Sequence, residues 1–527
     1  MNQPKVYVHG SYIGTTGYNQ HTRDFFRELS KHLQLKIRNF TVGKTWNGFS
    51  ENPHDNEPYI NDVDKSILHE QILWDNNGNR NNYKIYPDKS KEFLHDLNLV
   101  LCETDHYLFY DSYKGPKIAY NVWETTKQPD EFFNKLKEFD ELWVPSKWQK
   151  EETIKQGYPE YKIKVVPEGV DVDTFYPEEI THELTSDGRF KFFLAGRWDY
   201  RKSTKEIIET FIKTFDKDEP VDLIVSIDNM WGKDMDGFET TEERLAHYNL
   251  LDSRIKIIHF PSREDYIKIL KSVNVFVSCA RSEGWNLPLI EAMACGIPSI
   301  YSNCCAQLEF AEGKGIPVNI IGEKPADTNS YARYKMSDLP GNYYEPDFEH
   351  LSQQMRFSYE FYDQVKVKSL EESKEIRRDF SWEKVGEIGY KTLMEFYKNH
   401  PFIPAENKIN INYLDGPKVE IVGDNDENYH IEFLDENDKI IHDDNISNNM
   451  WTKCSRKYYT KWKIRINGDI VDEFDINNKR VLICLESKAI GDTVAWAPYA
   501  VEFAKKHNCE VILSTFFNGW FKGLESY

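Results

Sequence analysis

The run Arg281-Ser282-Glu283-Gly284-Trp285-Asn286-Leu287-Pro288-Leu289-Ile290-Glu291-Ala292-Met293-Ala294-Cys295-Gly296-Ile297-Pro298 decides how this chain is read. Just before it, Val273-Asn274-Val275-Phe276-Val277 has the apolar density of a buried strand, and Pro298-Ser299-Ile300-Tyr301 begins another. The predicted order is therefore strand, glycine turn, helix, strand. A turn at the carboxyl end of a parallel strand presents free backbone N–H groups at a helix N-terminus, a setting that suits a phosphate or a sugar hydroxyl. Glu283 falls on the turn and Glu291 about two turns into the helix, so both can reach one ligand lying across the helix start.

Working outward, the same alternation fills most of the chain. Residues 5–10 read as an opening strand, 14–18 as a glycine-containing loop, and 19–33 as a helix with Phe25, Phe26, Leu29 and Leu33 on one face. Further strands are predicted at 97–102, 117–122 and 141–144, with a helix over 148–157 that ends at Gly157. Residues 43–89 are polar and rich in Asn and Asp, and are expected to leave the core. A second unit starts near 162, with strands over 190–195, 221–227, 254–259, 273–277 and 298–301. Strands alternating with helices argue for parallel sheets covered on both faces. After Pro401 short alternating runs at 418–421, 429–433 and 461–466, separated by Asp415-Gly416 and Asn467-Gly468 turns, predict a small antiparallel β domain. A strand at 480–485, a turn at 490–492, a helix to about 506 and a strand at 510–514 then start another Rossmann-like unit.

At 527 residues the chain has room for several domains. Its 66 basic and 87 acidic residues leave a net charge of −21, which disfavours general binding of nucleic acid or anionic membrane. Eight cysteines without a CxxC pair give little support to zinc or redox chemistry. No apolar run approaches the ~20 residues that span a bilayer, and no signal-peptide pattern opens the chain, so a cytoplasmic protein without a transmembrane segment is expected.

The Glu283–Glu291 segment, with its flanking Gly-Trp-Asn-Leu-Pro and Ala-Met-Ala-Cys-Gly-Ile-Pro, resembles the E-x7-E donor site of retaining, GT-B-fold glycosyltransferases of family 4. The resemblance covers about residues 1–400. It implies an α/β, GT-B architecture: two Rossmann-like domains facing a cleft, 1–161 for the acceptor and 162–385 for the nucleotide sugar, and a helix at 386–400 that crosses back. The β-rich region 401–475 and the partial Rossmann-like unit 476–527 follow. The same resemblance implies that Glu283 and the amides of Gly284, Trp285, Asn286 and Leu287 hold the transferred sugar and that Glu291 holds the ribose. Arg197 and Lys202, in Gly196-Arg197-Trp198-Asp199-Tyr200-Arg201-Lys202, match the diphosphate grip, with Arg201 the weaker alternative to Lys202. Physically, fixed cations beside a departing nucleoside diphosphate lower the barrier. The resemblance also implies that Gly17, in the 14–17 loop, faces the donor diphosphate. Residues 167–175 match the interdomain signature, with Glu168 where Asn is usual. Asp171-Val172-Asp173 is expected to shape the hinge rather than hold a metal. The family's acceptor-side histidine has no counterpart after the strand at 117–122; Glu124 and His106 are the candidates there.

Glu486-Ser487-Lys488-Ala489-Ile490-Gly491-Asp492-Thr493 resembles the start of a family 9 heptosyltransferase of the autotransporter type, whose donor half is missing after it, so Asp492 is not expected to catalyse anything here. The resulting expectation is a hexosyltransferase using a UDP- or GDP-linked sugar as substrate, with no metal and no other cofactor, and a glycan, lipid-linked saccharide or protein as acceptor. Three alternatives stay open: a heptosyltransferase-like or bifunctional fragment, a non-catalytic glycan- or protein-binding module on the same scaffold, and a GT-B relative such as a sugar phosphorylase or nucleotide-sugar epimerase.

Overall fold

The computed structural model describes residues 3–14, 16–42, 61–74, 80–84, 95–102, 104, 107, 115–178, 187–229, 232–327, 341–400, 408–423, 427–458 and 461–521. The chain divides into two compact units, Met1–Phe402 and Ile403–Tyr527.

The first unit is built on two sheets. One has eight strands in the order Arg80–Lys84, Leu68–Trp74, Gln34–Val42, Lys5–Gly10, Leu97–Leu101, Lys117–Tyr120, Glu141–Val144 and Ile163–Val165. All neighbours run parallel except the first two. The other has six parallel strands, ordered Ile255–Ile257, Val221–Ser226, Phe190–Ala195, Val275–Ser278, Ser299–Ser302 and Ile316–Val318. Their strands are apolar runs because helices bury both faces; Val275–Ser278 is buried along its whole length.

The region 43–89 corrects the sequence reading in part. Leu68–Trp74 and Arg80–Lys84 do not leave the core but extend the first sheet at its edge. Arg80–Lys84 is the edge strand and pairs on one side only, so its polar sequence is tolerated there and carries no apolar signature. The preceding helix, Asp62–Ile67, is anchored by Asp64, which is buried and receives Arg27 Nη2 at 2.7 Å and the Tyr12 hydroxyl. Residues 43–60, 75–79 and 85–89 lie outside the described residues.

Two crossings join the halves of this unit. Residues 166–170 leave the first sheet, and the helix Trp382–Asn399 returns to it. They run side by side: Val170 N donates to Phe380 O at 2.8 Å and Trp382 N to Val170 O at 3.3 Å. Trp382, Val385, Leu393 and Phe396 belong to the core of the first sheet. The helix lies close against Gly17–Ser30 because Gly386 and Gly389 face it; a Cβ on Gly389 would stand 2.6 Å from Phe25 Cζ.

In the second unit, a three-stranded sheet (Lys408–Asn412, Lys418–Val422, Met450–Lys453) and a four-stranded one (Ile440–Ser447, Asn428–Leu434, Trp462–Ile466, Asp469–Phe474) are antiparallel. They share one core of Val419, Ile421, Ile431, Phe433, Trp462 and Ile464 among others. Arg480–Leu485 and Glu510–Thr515 then pair in parallel across the helix Ile490–His507. No helix among the described residues is long and apolar enough to cross a membrane.

Candidate functional site

In the six-stranded sheet the chain runs from Phe190–Ala195 toward one edge and from Val275–Ser278 toward the other. These two strands are neighbours, so the loops that follow them diverge and leave a crevice at their carboxyl ends, the usual binding position of an open α/β sheet. The loop 196–202 and the turn 279–286 line it.

Their side chains converge. Glu283 is 5% exposed, with Lys202 Nζ 2.5 Å from Oε1 and Arg201 Nη1 3.2 Å from Oε2. Burial alone would raise the Glu283 pKa; the two cations outweigh it and hold the carboxylate below its ordinary value. Lys202 is shifted down, because burial costs its ammonium more than Glu283 returns. Arg201 also donates to Ser282 O at 2.7 Å, and its Nη2 lies 3.6 Å from Glu124 Oε1. Arg197 lies on the same loop, with Nε bonded to Asp199 Oδ2 at 2.7 Å.

Glu124 sits in the loop after Lys117–Tyr120, so the first sheet delivers it to the second. That loop is tightly seated. The Ser282 hydroxyl donates to Glu124 O, and a Cβ on Gly284 would stand 2.5 Å from Val122 Cγ1. Gly284 is therefore required by the approach of the two halves of the unit, whatever its amide binds. Nearby, Asn342 N donates to Thr126 Oγ1 at 2.8 Å and Trp148 Nε1 to Tyr344 Oη at 3.0 Å.

The helix begins at Leu287 and ends at Ala294, which puts Glu291 about one turn in, not two. Asn286 precedes it with φ 87°, and its Nδ2 turns inward to Ser278 Oγ and Gln307 Oε1. No side chain caps this helix start. The amides of Gly284, Trp285 and Leu287 find no acceptor among the described residues, as is usual at a helix N-terminus. The Trp285 ring packs between Phe310 and Phe380 and takes no part in the crevice wall. Gly17, at the start of the first-domain helix, faces Leu287, and a Cβ there would sit at an ordinary 3.6 Å from Leu287 Cδ1.

Glu291 is buried and receives Arg263 Nη2, the Tyr266 hydroxyl at 2.9 Å and, from the first-domain helix, Gln20 Nε2 at 3.2 Å. None of these three was singled out from sequence. Arg263 and Tyr266 are three apart on one helix, Arg263–Ser272, a spacing that puts both on one face and was available as a signal. Gln20 carried none, because only the packing of distant segments brings it there.

At the crossing, Glu168 Oε2 stands 3.5 Å from His21 Nδ1, both buried. Burial lifts Glu168 to about 8 and drops His21 to about 3, favouring the neutral form of each. A protonated carboxyl offers one donor and one acceptor, as an amide does. Asp171 Oδ1 accepts from the backbone N of Asp173 and Thr174, a local turn just after the crossing. His106 lies outside the described residues. In the second unit, Asp492 is exposed and accepts from Ser487 Oγ at 2.6 Å.

Comparison with known proteins agrees with this architecture. Residues 177–332 match the family model described as glycosyl transferases group 1. The autotransporter heptosyltransferase BAHTCr of Citrobacter rodentium is 28% identical over 131 residues, covering 23% of this chain and 31% of that protein. The GDP-mannose:cellobiosyl-diphosphopolyprenol alpha-mannosyltransferase of Xanthomonas oryzae pv. oryzae is 24% identical over 160 residues, 30% of this chain and 40% of its own. This chain thus matches less than half the length of either relative. Among solved structures, Anabaena Alr3699/HepE in complex with UDP and glucose superposes with TM-score 0.54 at 12% identity, over 75% of this chain and all of the other. The fold is GT-B, and its second sheet carries the segment that matches glycosyl transferases group 1.

Proposed function

We propose that this chain is a glycosyltransferase that moves a hexose from a nucleotide-diphosphate sugar to a glycan, lipid-linked or protein acceptor, with retention of configuration as in family 4. The observation that carries this reading is the buried, ionised Glu283 clamped by Lys202 and Arg201 at the switch point of the second sheet, beside a helix start with free amides. The names of the matched relatives, an alpha-mannosyltransferase and a heptosyltransferase, and a UDP-bound structure of the same fold support it.

In this reading Glu291 holds the ribose hydroxyls, Glu283 and the 284–287 amides orient the sugar, and Arg197 and Lys202 neutralise the diphosphate as it leaves. The acceptor enters from the first domain, where Glu124 orients its hydroxyl or the sugar. Attack comes on the face the diphosphate leaves, and the departing phosphate takes the acceptor proton, so no protein nucleophile is used. Closure of the two domains excludes water from the donor. A heptose in place of the hexose is the second reading, favoured by the heptosyltransferase relative.

A thermal-shift panel of UDP, GDP, ADP and their sugars, followed by assays of donor hydrolysis and transfer, tests the proposal. A ligand that binds only the folded state raises the melting point. Selective stabilisation by one nucleotide sugar, with turnover, is expected. Nucleotide binding without turnover of any sugar nucleotide would instead favour a binding module.

A further inference from the structure

Two cations on one carboxylate are more than its charge requires. Glu283 receives both Lys202 and Arg201, and an incoming diphosphate brings negative charge to the same loop. Lys202, a single ammonium on a flexible stem, is the one that can turn to it. Arg201 is fixed. Its side chain is 7% exposed, its backbone N donates to Asp199 Oδ1 at 2.8 Å, its backbone O accepts from Arg281 N at 2.7 Å, and its Nη1 holds Ser282 O. A carboxylate this deeply buried is costly to leave without a cation. The far side of the same guanidinium faces Glu124, which belongs to the first-domain loop.

We infer that Arg201 is a positioning residue that keeps Glu283 oriented when the donor draws Lys202 away, and that its pairing with Glu124 ties that orientation to the seating of the first-domain loop. This rests on the glycosyltransferase reading above. Arg201 then serves the sugar end of the donor and not the diphosphate, although it is the immediate neighbour of Lys202 in sequence. The Arg fork is what the role needs, since one planar group must address Ser282, Glu283 and Glu124 together.

The test uses the full chain with Arg201→Lys and Glu124→Gln, read by steady-state kinetics on the sugar nucleotide that the wild type turns over and by calorimetric binding of UDP and GDP alone. For Arg201→Lys, kcat is expected to fall about a hundredfold, the cost of a misplaced reacting group. Donor KM and nucleoside-diphosphate affinity stay essentially unchanged, and the acid limb of the kcat–pH profile moves to higher pH because Glu283 is less well held. For Glu124→Gln, kcat falls about tenfold with nucleotide affinity kept. Wild-type kcat and acid limb in Arg201→Lys overturn the inference, as does loss of UDP and GDP binding, which would make Arg201 a diphosphate ligand. Unchanged kcat in Glu124→Gln removes the interdomain half; if Arg201→Lys does not fold, the acid limb of Glu124→Gln decides, since loss of an acceptor contact alone leaves that limb in place and a limb in place then overturns the inference. A wild type that turns over no sugar nucleotide overturns the glycosyltransferase reading itself, so the two failures are distinct.

Discussion

Glu283 and Glu168 are both glutamates, both almost fully buried in the first compact unit, and they are held in opposite protonation states. Burial pushes each toward the neutral acid. Glu168 stands beside His21, itself driven neutral, and its acid form persists to about pH 8. At Glu283 two cations from the preceding loop reverse the effect. A charge kept in a dry site at this expense belongs with a task, whereas a neutral carboxyl at a chain crossing is a hydrogen-bonding group like any other.

Four substitutions would sharpen or break that contrast. The largest effect is expected for Glu283→Gln, which keeps shape and removes charge. We expect kcat to fall about a hundredfold or more, with some loss of melting temperature because Lys202 and Arg201 are left buried without their carboxylate. Unaltered turnover would falsify the assignment of the charge to catalysis. Next, Glu291→Ala should raise donor KM about tenfold, roughly 1.4 kcal/mol, while kcat at saturation stays near wild type. A kcat defect of the same size would place Glu291 at the reacting centre instead.

Glu168→Gln probes the neutral partner of the comparison. Its folded-state pKa, about 8, is above the ordinary 4.5. The stabilisation it gives is therefore complete below pH 4.5 and lost as pH rises toward 8, at about 1.4 kcal/mol per pH unit between these limits. The Gln variant should show a flatter pH dependence of stability in denaturant titrations at pH 5, 6.5 and 8; a parallel dependence would mean that Glu168 is ionised in the fold. The smallest effect is expected for Gln20→Ala. Gln20 occupies Glu291, and releasing it should tighten UDP or GDP binding about threefold by calorimetry. Weaker binding would make Gln20 a nucleotide ligand.

The alternation of strands and helices was legible because helices bury both faces of each sheet and leave continuous apolar runs. The polar edge of the first sheet was not, because an edge strand is free of that demand. The contrast between the glutamates follows the same logic. Glu283 and Lys202 stand in local motifs, each on a loop after a strand, and local patterns survive in sequence. The pairings of Arg201 with Glu124, Gln20 with Glu291 and His21 with Glu168 join residues 77, 271 and 147 positions apart, and nothing in the residues themselves announces them. Arg201 shows the limit most plainly: beside Lys202 it read as a spare diphosphate ligand, and only its burial and its contacts separate the two.

The paired crossings have a consequence for motion. Two hydrogen bonds zip residue 170 between residues 380 and 382, and the returning helix is keyed by Gly386 and Gly389 into the helix Gly17–Ser30. Any opening of the crevice that spares those bonds must instead break the contacts that residues 124, 126 and 148 make with residues 282, 342 and 344.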